Sequence, residues 1–291
     1  MQKEQIEQIE SKKVLITCDS TCDLSPELQA RYNINMMSFP VIMDGVSYKD
    51  GENVIPDDLF KFFETTGKLP STSAPNPGEF ADFFEQYTKE GYAIVHFSIG
   101  SALSCGHINA RNAAATLEDV YVVDSQSLST GGALLAIKAA ELAQQGYSAK
   151  EIAELVAPMA VRMDVSFVID TLQFLYKGGR CSALSALGAN LLKLKPCIEV
   201  RPAGMDVGKK YRGKIADVLP GYVEARLTGR SNIDFSRIFI THSGCDQSII
   251  DAVEGKIREL ADFNEIIVTR AGCTISVHCG PNTLGILFMY Q

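Results

Sequence analysis

The chain of 291 residues has no tryptophan, four histidines and no surplus of positive charge. Lys and Arg number 27 against 35 Asp and Glu, a formal net charge of −8. A chain this acidic lacks the basic footprint by which proteins hold nucleic acid, so no DNA or RNA partner is expected. No uninterrupted apolar run approaches the ~18 residues that span a bilayer. The longest apolar stretch, Gly131-Gly132-Ala133-Leu134-Leu135-Ala136-Ile137, is cut short by Lys138 and Glu141. The opening Met1-Gln2-Lys3-Glu4-Gln5-Ile6-Glu7 has no apolar core of a signal peptide. These absences predict a cytoplasmic protein without a transmembrane segment, leaving room for transient membrane contact.

Catalytic signatures are missing too. None of the eight cysteines (18, 22, 105, 181, 197, 245, 273 and 279) forms a C-x-x-C, and no histidine stands at a ligand spacing beside a cysteine pair. No metal is expected, and the thiols are expected to act as small buried hydrophobes. There is no G-x-S-x-G elbow for a serine nucleophile. No G-x-G-x-x-G follows the first apolar run, and Lys177-Gly178-Gly179-Arg180 lacks the spacing of a phosphate-binding P-loop.

What is present is an ordinary globular composition, 46% hydrophobic and 21% charged, in a chain long enough for two domains. In the first half, strand and helix signals alternate. Val14 to Cys18 is a buried strand ending at Asp19-Ser20. Ser25-Pro26-Glu27 opens a helix with serine as N-cap and proline in the first turn. Met36 to Met43 forms a second apolar segment, closing on Asp44-Gly45. Helices are predicted from Pro56 and from Pro77, the latter placing Phe80, Phe83, Phe84 and Tyr87 on one face. Strands follow at 93–97 and 120–123, then helices over 131–145 and 148–161. Alternation of this kind implies βαβ units around a parallel sheet.

The character changes near Pro158. Strands are expected at 197–201, 237–241, 265–269 and 284–290, with one clear helix at 246–260. The fold class read from this pattern is α/β in two domains. An extension (1–12) precedes a domain (13–160) with a mainly parallel sheet flanked by helices. A second α/β domain (161–291) carries a mixed or antiparallel sheet.

Ligands on parallel sheets bind at loops beyond the carboxyl ends of the strands. Three such loops are rich in hydroxyls: 19–23, 98–104 and 124–127. The densest hydroxyl loop is Ser71-Thr72-Ser73-Ala74-Pro75-Asn76-Pro77, which also reads as an N-cap turn for the following helix. Hydroxyls near helix starts, joined by a single cation such as Arg180, suit a carboxylate or phosphate. His96 lies within an apolar strand and reads as a hydrogen-bonded core residue. His242 and His278 stand at strand ends or loops where either could reach a cleft.

The chain resembles the DegV family of bacterial fatty-acid-binding proteins, which includes the acyl-carrier subunits of fatty acid kinases. The resemblance covers 14–290. It rests on Asp19-Ser20-Thr21-Cys22-Asp23-Leu24 for D-S-x-x-D-L, Thr72-Ser73-Ala74-Pro75 for T-S-x-P, and Ser101-Ala102-Leu103-Ser104 for S-x-L-S. Asp170-Thr171-Leu172 through Gly178-Gly179-Arg180, Lys195-Pro196, and His278-Cys279-Gly280-Pro281 complete the series in the family's order. It implies a long-chain fatty acid in an internal tunnel, its carboxylate on Thr72 and Ser104, with Arg180 and His278 at the mouth and Ser73 and Cys105 beside them. It implies no catalytic residue and no cofactor. It further implies an ATP-binding kinase partner that phosphorylates the presented carboxylate, a role in phospholipid metabolism. The chain departs from the family at Leu103-Ser104-Cys105-Gly106-His107-Ile108-Asn109-Ala110, where L-S-G-T-Y-Q-S-A is usual. The competing reading is a small-molecule esterase or thioesterase using Ser104 with His278.

Overall fold

The computed structural model describes residues 12–181 and 194–291, so residues 1–11 of the expected extension lie outside the described residues. A parallel sheet of four strands has the order β2-β1-β6-β7, formed by β1 (Lys13–Asp19), β2 (Ile34–Met37), β6 (Tyr92–Ser98) and β7 (Val120–Asp124). Around it run α1 (Pro26–Tyr32), α3 (Pro77–Thr88), α4 (Gly106–Ala114), α5 (Thr130–Gln144) and α6 (Ala149–Val156). The helix starts follow local chemistry. Ser25 Oγ accepts the Leu28 N–H (3.3 Å) ahead of Pro26. Asn76 and Glu79 form a reciprocal capping box before α3, as Ser148 and Glu151 do before α6. Phe80 and Phe84 are fully buried, and their rings lie 5.6 and 5.1 Å from that of His96.

The apolar segment 36–43 does not form one strand. It divides into β2 and β3 (Pro40–Met43), which belong to different sheets. The break lies at Phe39, whose N–H donates to Ser20 Oγ (3.1 Å) and whose carbonyl accepts from Asp50 N (3.0 Å). Pro40 then has no N–H to offer the parallel ladder. β3 pairs antiparallel with β4 (Val46–Lys49) and β5 (Ser71–Thr72), making a small sheet beside α2 (Pro56–Thr66).

The second half supplies a mixed sheet in the order β10-β9-β8-β13-β11-β12. Its strands are β8 (Met163–Val168), β9 (Leu194–Arg201), β10 (Gly204–Arg212), β11 (Ile233–Ser243), β12 (Ile266–Arg270) and β13 (Thr283–Tyr290). All pairs are antiparallel except β11–β12. Besides the expected helix, now α9 (Gln247–Leu260), this half holds α7 (Gln173–Gly178), α8 (Ile215–Leu227) and α10 (Cys273–Cys279). Pro220-Gly221 inside α8 reads as a turn in the sequence, which concealed the helix.

Helix α5 touches β1 and β6 on one side and β13 on the other. Eleven of its fifteen residues are buried, in keeping with the apolar run over 131–137. One buried cluster accordingly runs from Ile16 and Ile94 through Leu134 and Leu135 to Phe167, Ile198 and Leu287. A second cluster packs α8 and α9 on the opposite face of the mixed sheet, and a third joins Val41, Val54 and Leu59 to Cys273 and Val277 of α10.

α10 is short, and its exposed backbone amides are taken up by the first half of the chain. Asp50 accepts from Cys273 N (2.7 Å) and Thr274 N (2.9 Å), and Asp23 accepts from Gly272 N (2.8 Å). Asp23 also receives the Ser129 hydroxyl, and Asp50 that of Ser20 (3.1 Å). Burial pushes the Asp23 carboxyl up to about 8, against its bonds to Ser129 and Gly272 and with the nearby Asp50 adding to the rise. The native state therefore holds a proton that the unfolded chain releases near pH 4, so Asp23 makes stability fall as pH rises towards 8. We predict that the melting temperature declines between pH 6.5 and 8 by roughly 2 °C per unit from this source and levels off above. Melting curves of Asp23→Asn should lack that decline; an identical slope in the variant would contradict the assignment.

Candidate functional site

The sheet order 2-1-6-7 reverses direction between β1 and β6, the place where parallel sheets open a crevice at their carboxyl ends. The loop 99–105 leaves β6 there. Asp19 Oδ2 accepts the Ile99 N–H (2.8 Å), while its Oδ1 lies 3.1 Å from His96 Nε2. Thr17 Oγ1 completes the histidine's partners at 3.0 Å. His96 is thus the buried, satisfied core residue its sequence context predicted. Gly100 N donates to Ser127 O (2.7 Å), and Ser104 Oγ accepts the Gly106 N–H (3.1 Å) at the start of α4. His107 Nδ1 sits 2.8 Å from Ser98 Oγ beneath this loop, and burial pushes its imidazole down. Asn109 Nδ2 donates to Pro75 O (2.8 Å), tying α4 to the hydroxyl loop 71–77.

Thr72 arrives on β5, in register with Val41, and Ser73 N donates to Pro40 O (3.1 Å). Thr72 Oγ1 lies 3.0 Å from Nε2 of His278, which α10 brings from the other end of the chain. Nδ1 of His278 is buried with no hydrogen-bond partner among the described residues. A Cβ on Gly178 would come within 2.4 Å of that Nδ1, so only glycine lets the backbone pass so close to the ring. Gly179 follows at φ +68°, closing α7 in the left-handed conformation. The two glycines place Arg180 next to the histidine, its Nη1 donating to Gly178 O (2.7 Å). Lys195 steadies the approach to α7 by pairing with Asp170 (2.6 Å) and donating to its carbonyl (2.7 Å), which unites the D-T-L and K-P segments.

These pieces enclose a cavity of about 670 Å³, taken to its open mouth. Thr72, Ser73, Ser104, Cys105, Arg180 and His278, all six candidates from the sequence, line it. Much of the remaining wall is apolar: Ile99, Leu103, Leu128, Phe167, Leu175, Met205 and Ile275. A polar end with several hydroxyls and one cation, joined to an apolar body, accepts an anionic head carrying a long apolar tail. Burial pushes His278 down to about 4, with the Arg180 charge adding to the effect, so its ring is neutral at physiological pH. Of the eight cysteines only Cys105 is exposed, at the rim of this cavity.

The sequence did not single out the apolar wall. Phe167 and Met205 come from β8 and β10 of the mixed sheet, and nothing local to either residue marks it as facing a cavity. Thr274, one turn before His278 on α10, was legible in principle as its i−4 neighbour, but α10 itself went unread. Conversely, the D-S-x-x-D loop does not line the cavity; Asp19, Ser20 and Asp23 are bonded to the elements that do. Among the described residues, no group of His, Cys, Asp and Glu could hold a metal, and no helix is long and apolar enough to cross a membrane.

Comparison with known proteins places this arrangement. A DegV domain-containing protein of Caldanaerobacter subterraneus is 28% identical over 281 residues, covering 95% of this chain and 99% of its own. One from Deinococcus radiodurans is 30% identical over 280 residues, covering 94% and 97%. The fatty-acid-binding DegV family protein of Thermus thermophilus superimposes with a TM-score of 0.86 at 26% identity, over 96% of this chain and 100% of that one. DegV of Bacillus subtilis, a fatty acid binding protein, shares the fold with a TM-score of 0.83 at 23% identity, over 97% and 100%. The family described as uncharacterised protein, DegV family, matches residues 13–291. The chain belongs to the DegV family.

Proposed function

We propose that this protein binds a long-chain fatty acid in the cavity, its tail in an internal tunnel and its carboxylate at the hydroxyl end, and presents it to a partner. The observation that carries this reading is the convergence of Thr72, Ser104, Arg180 and His278 on one end of a cavity whose body is apolar. The Thermus thermophilus protein, similar over nearly the whole chain, is itself a fatty acid binder.

The physical chemistry is coherent. Burying an unpartnered carboxylate costs several kcal/mol. Hydrogen bonds to a charged group return roughly 1.5–3 kcal/mol each, so two hydroxyls and a nearby guanidinium offset the cost. The tail supplies the larger driving force, roughly 0.8 kcal/mol per buried methylene before ordering losses. His278 acts on the head group through Thr72. With its single proton on Nε2, the neutral ring donates to Thr72 Oγ1, leaving the threonine proton to donate to a carboxylate oxygen. Ser73 and Cys105 complete the rim.

The partner in this reading is an ATP-binding kinase subunit that phosphorylates the exposed carboxylate to an acyl phosphate, in the cytoplasm and ahead of phospholipid synthesis. Binding needs no cofactor. The esterase reading is the weaker one. His278 bonds to Thr72 and not to Ser104, its Nδ1 has no carboxylate to orient it, and an imidazole pushed down to about 4 is a poor base at neutral pH.

Mass spectrometry of the purified protein, native and then denatured, tests the reading directly: a stoichiometric long-chain fatty acid should be released on denaturation. An empty protein that also takes up neither oleate nor palmitate would refute it. By titration calorimetry, Thr72→Val with Ser104→Ala should weaken oleate binding at least tenfold without altering the fold. Because His278 stays neutral, oleate affinity should be level from pH 6 to 8; a change centred near 6.5 would show that the histidine titrates in that range.

A further inference from the structure

A second cavity, of about 330 Å³ taken to its open mouth, abuts the first. The two share four buried wall residues, Leu128, Phe167, Ile275 and Cys279. The inner cavity is lined by several hydroxyl-bearing residues, yet the structure uses each hydroxyl internally. Thr241 pairs with Thr130 (2.6 Å), Ser243 donates to Ser276 (3.0 Å), Ser166 pairs with Tyr222 (2.9 Å), and Thr283 donates to the Cys279 carbonyl (2.9 Å). Ser129 is engaged by Asp23. A chamber whose hydroxyls are all spoken for offers an apolar surface to whatever enters it.

Phe167 stands between the chambers under an unusual condition. Its antiparallel partner across the β8–β13 ladder is Gly285, which lines the inner chamber. A Cβ at Gly285 would lie 2.9 Å from Phe167 Cβ and 2.5 Å from Ser166 O, so no side chain fits there. Ile198 of β9 flanks Phe167 on the other side, so the ring lacks a cross-strand neighbour on the β13 side alone and can move only towards Gly285.

We infer that Phe167 is a gate that sets the acyl-length preference of this protein. Acids whose tails end in the outer chamber bind with the gate closed, and longer tails turn the ring towards Gly285 to enter the inner chamber. The inference rests on the fatty-acid reading of the cavity and adds to it the class of acid accommodated. It predicts a break in the dependence of affinity on length. Kd should fall roughly fourfold per methylene while the tail lies in the outer chamber. The fall should stall at the length that meets the ring, then resume.

The test is a calorimetric series of saturated acids from ten to eighteen carbons on the full chain and on three folded variants. Phe167→Ala should remove the stall, so that acids beyond it bind at least tenfold more tightly than to the wild type. Phe167→Leu, which keeps the core apolar, should act in the same direction. Ala271→Leu, which fills the inner chamber from its wall, should weaken the longer acids at least tenfold and spare the shorter ones. An unbroken wild-type series, or variants that shift every length alike, would overturn the gate while leaving the fatty-acid reading in place. Failure of the wild type to bind an acid of any length would overturn that reading and the gate with it.

Discussion

The docking of one short helix holds the site together. α10 has seven residues, too few to be stable alone. Its exposed amides and the Gly272 N–H before it are met by Asp50 and Asp23, which belong to loops of the first half of the chain. The same two carboxyls receive Ser20 and Ser129, and Ser20 Oγ also accepts from Phe39, where the chain leaves the parallel sheet for the small one. Three otherwise separate pieces are thereby fixed with respect to each other: the end of β1, the small sheet that carries Thr72, and the helix that carries His278. The 3.0 Å contact between Thr72 and His278, residues 206 positions apart, is a consequence of that docking.

The cavity follows from the same constraint. α5, most of whose residues are buried, lies between the parallel and mixed sheets. Beyond its N-terminus, at Leu128, the sheets remain apart, and the gap is bounded by α10, loop 99–105 and Phe167. Its apolar wall is the exposed remainder of the core that joins the two sheets, and its polar end is the edge where strand-end loops meet. An amphipathic cavity is what remains when two half-domains share a core that stops short of the loops.

This explains which parts were legible in the sequence. The parallel sheet and its helices were visible because their signals are local: Ser25-Pro26, the aromatic spacing of 80–87, the strand runs at 14–18 and 93–97. The candidate head-group residues were named through the resemblance to the DegV family, since each motif taken alone has other readings. Gly178-Gly179-Arg180 combines a close approach, a left-handed cap and a cation. What was not legible depends on distant partners. Nothing local in the apolar segment Met36 to Met43 marks the break at Phe39, whose backbone is taken up by Ser20 and Asp50. Nothing local marks α10 as a helix, since its amides are met by Asp23 and Asp50 from far along the chain. The wall residues Phe167 and Met205 read as ordinary core, since apolar residues facing a cavity and apolar residues facing each other carry the same signature.

A head group held mainly by hydroxyls suits the proposed hand-over better than one clamped by arginines. A bidentate guanidinium would occupy both carboxylate oxygens and hold them in one plane. Thr72 and Ser104 can each donate one hydrogen bond, and the Arg180 side chain is turned back on the Gly178 carbonyl through Nη1. Such a site compensates the charge without enclosing it, so an oxygen remains open to attack a phosphoryl group offered from outside. A neutral His278 fits the same demand: a cationic imidazole behind Thr72 would deepen the hold on the anion and lower the nucleophilicity of its oxygens. Burial of the ring against Gly178, with its Nδ1 left unpartnered, keeps it uncharged. Specificity for the acid then falls to the tail, where the apolar wall acts by shape alone.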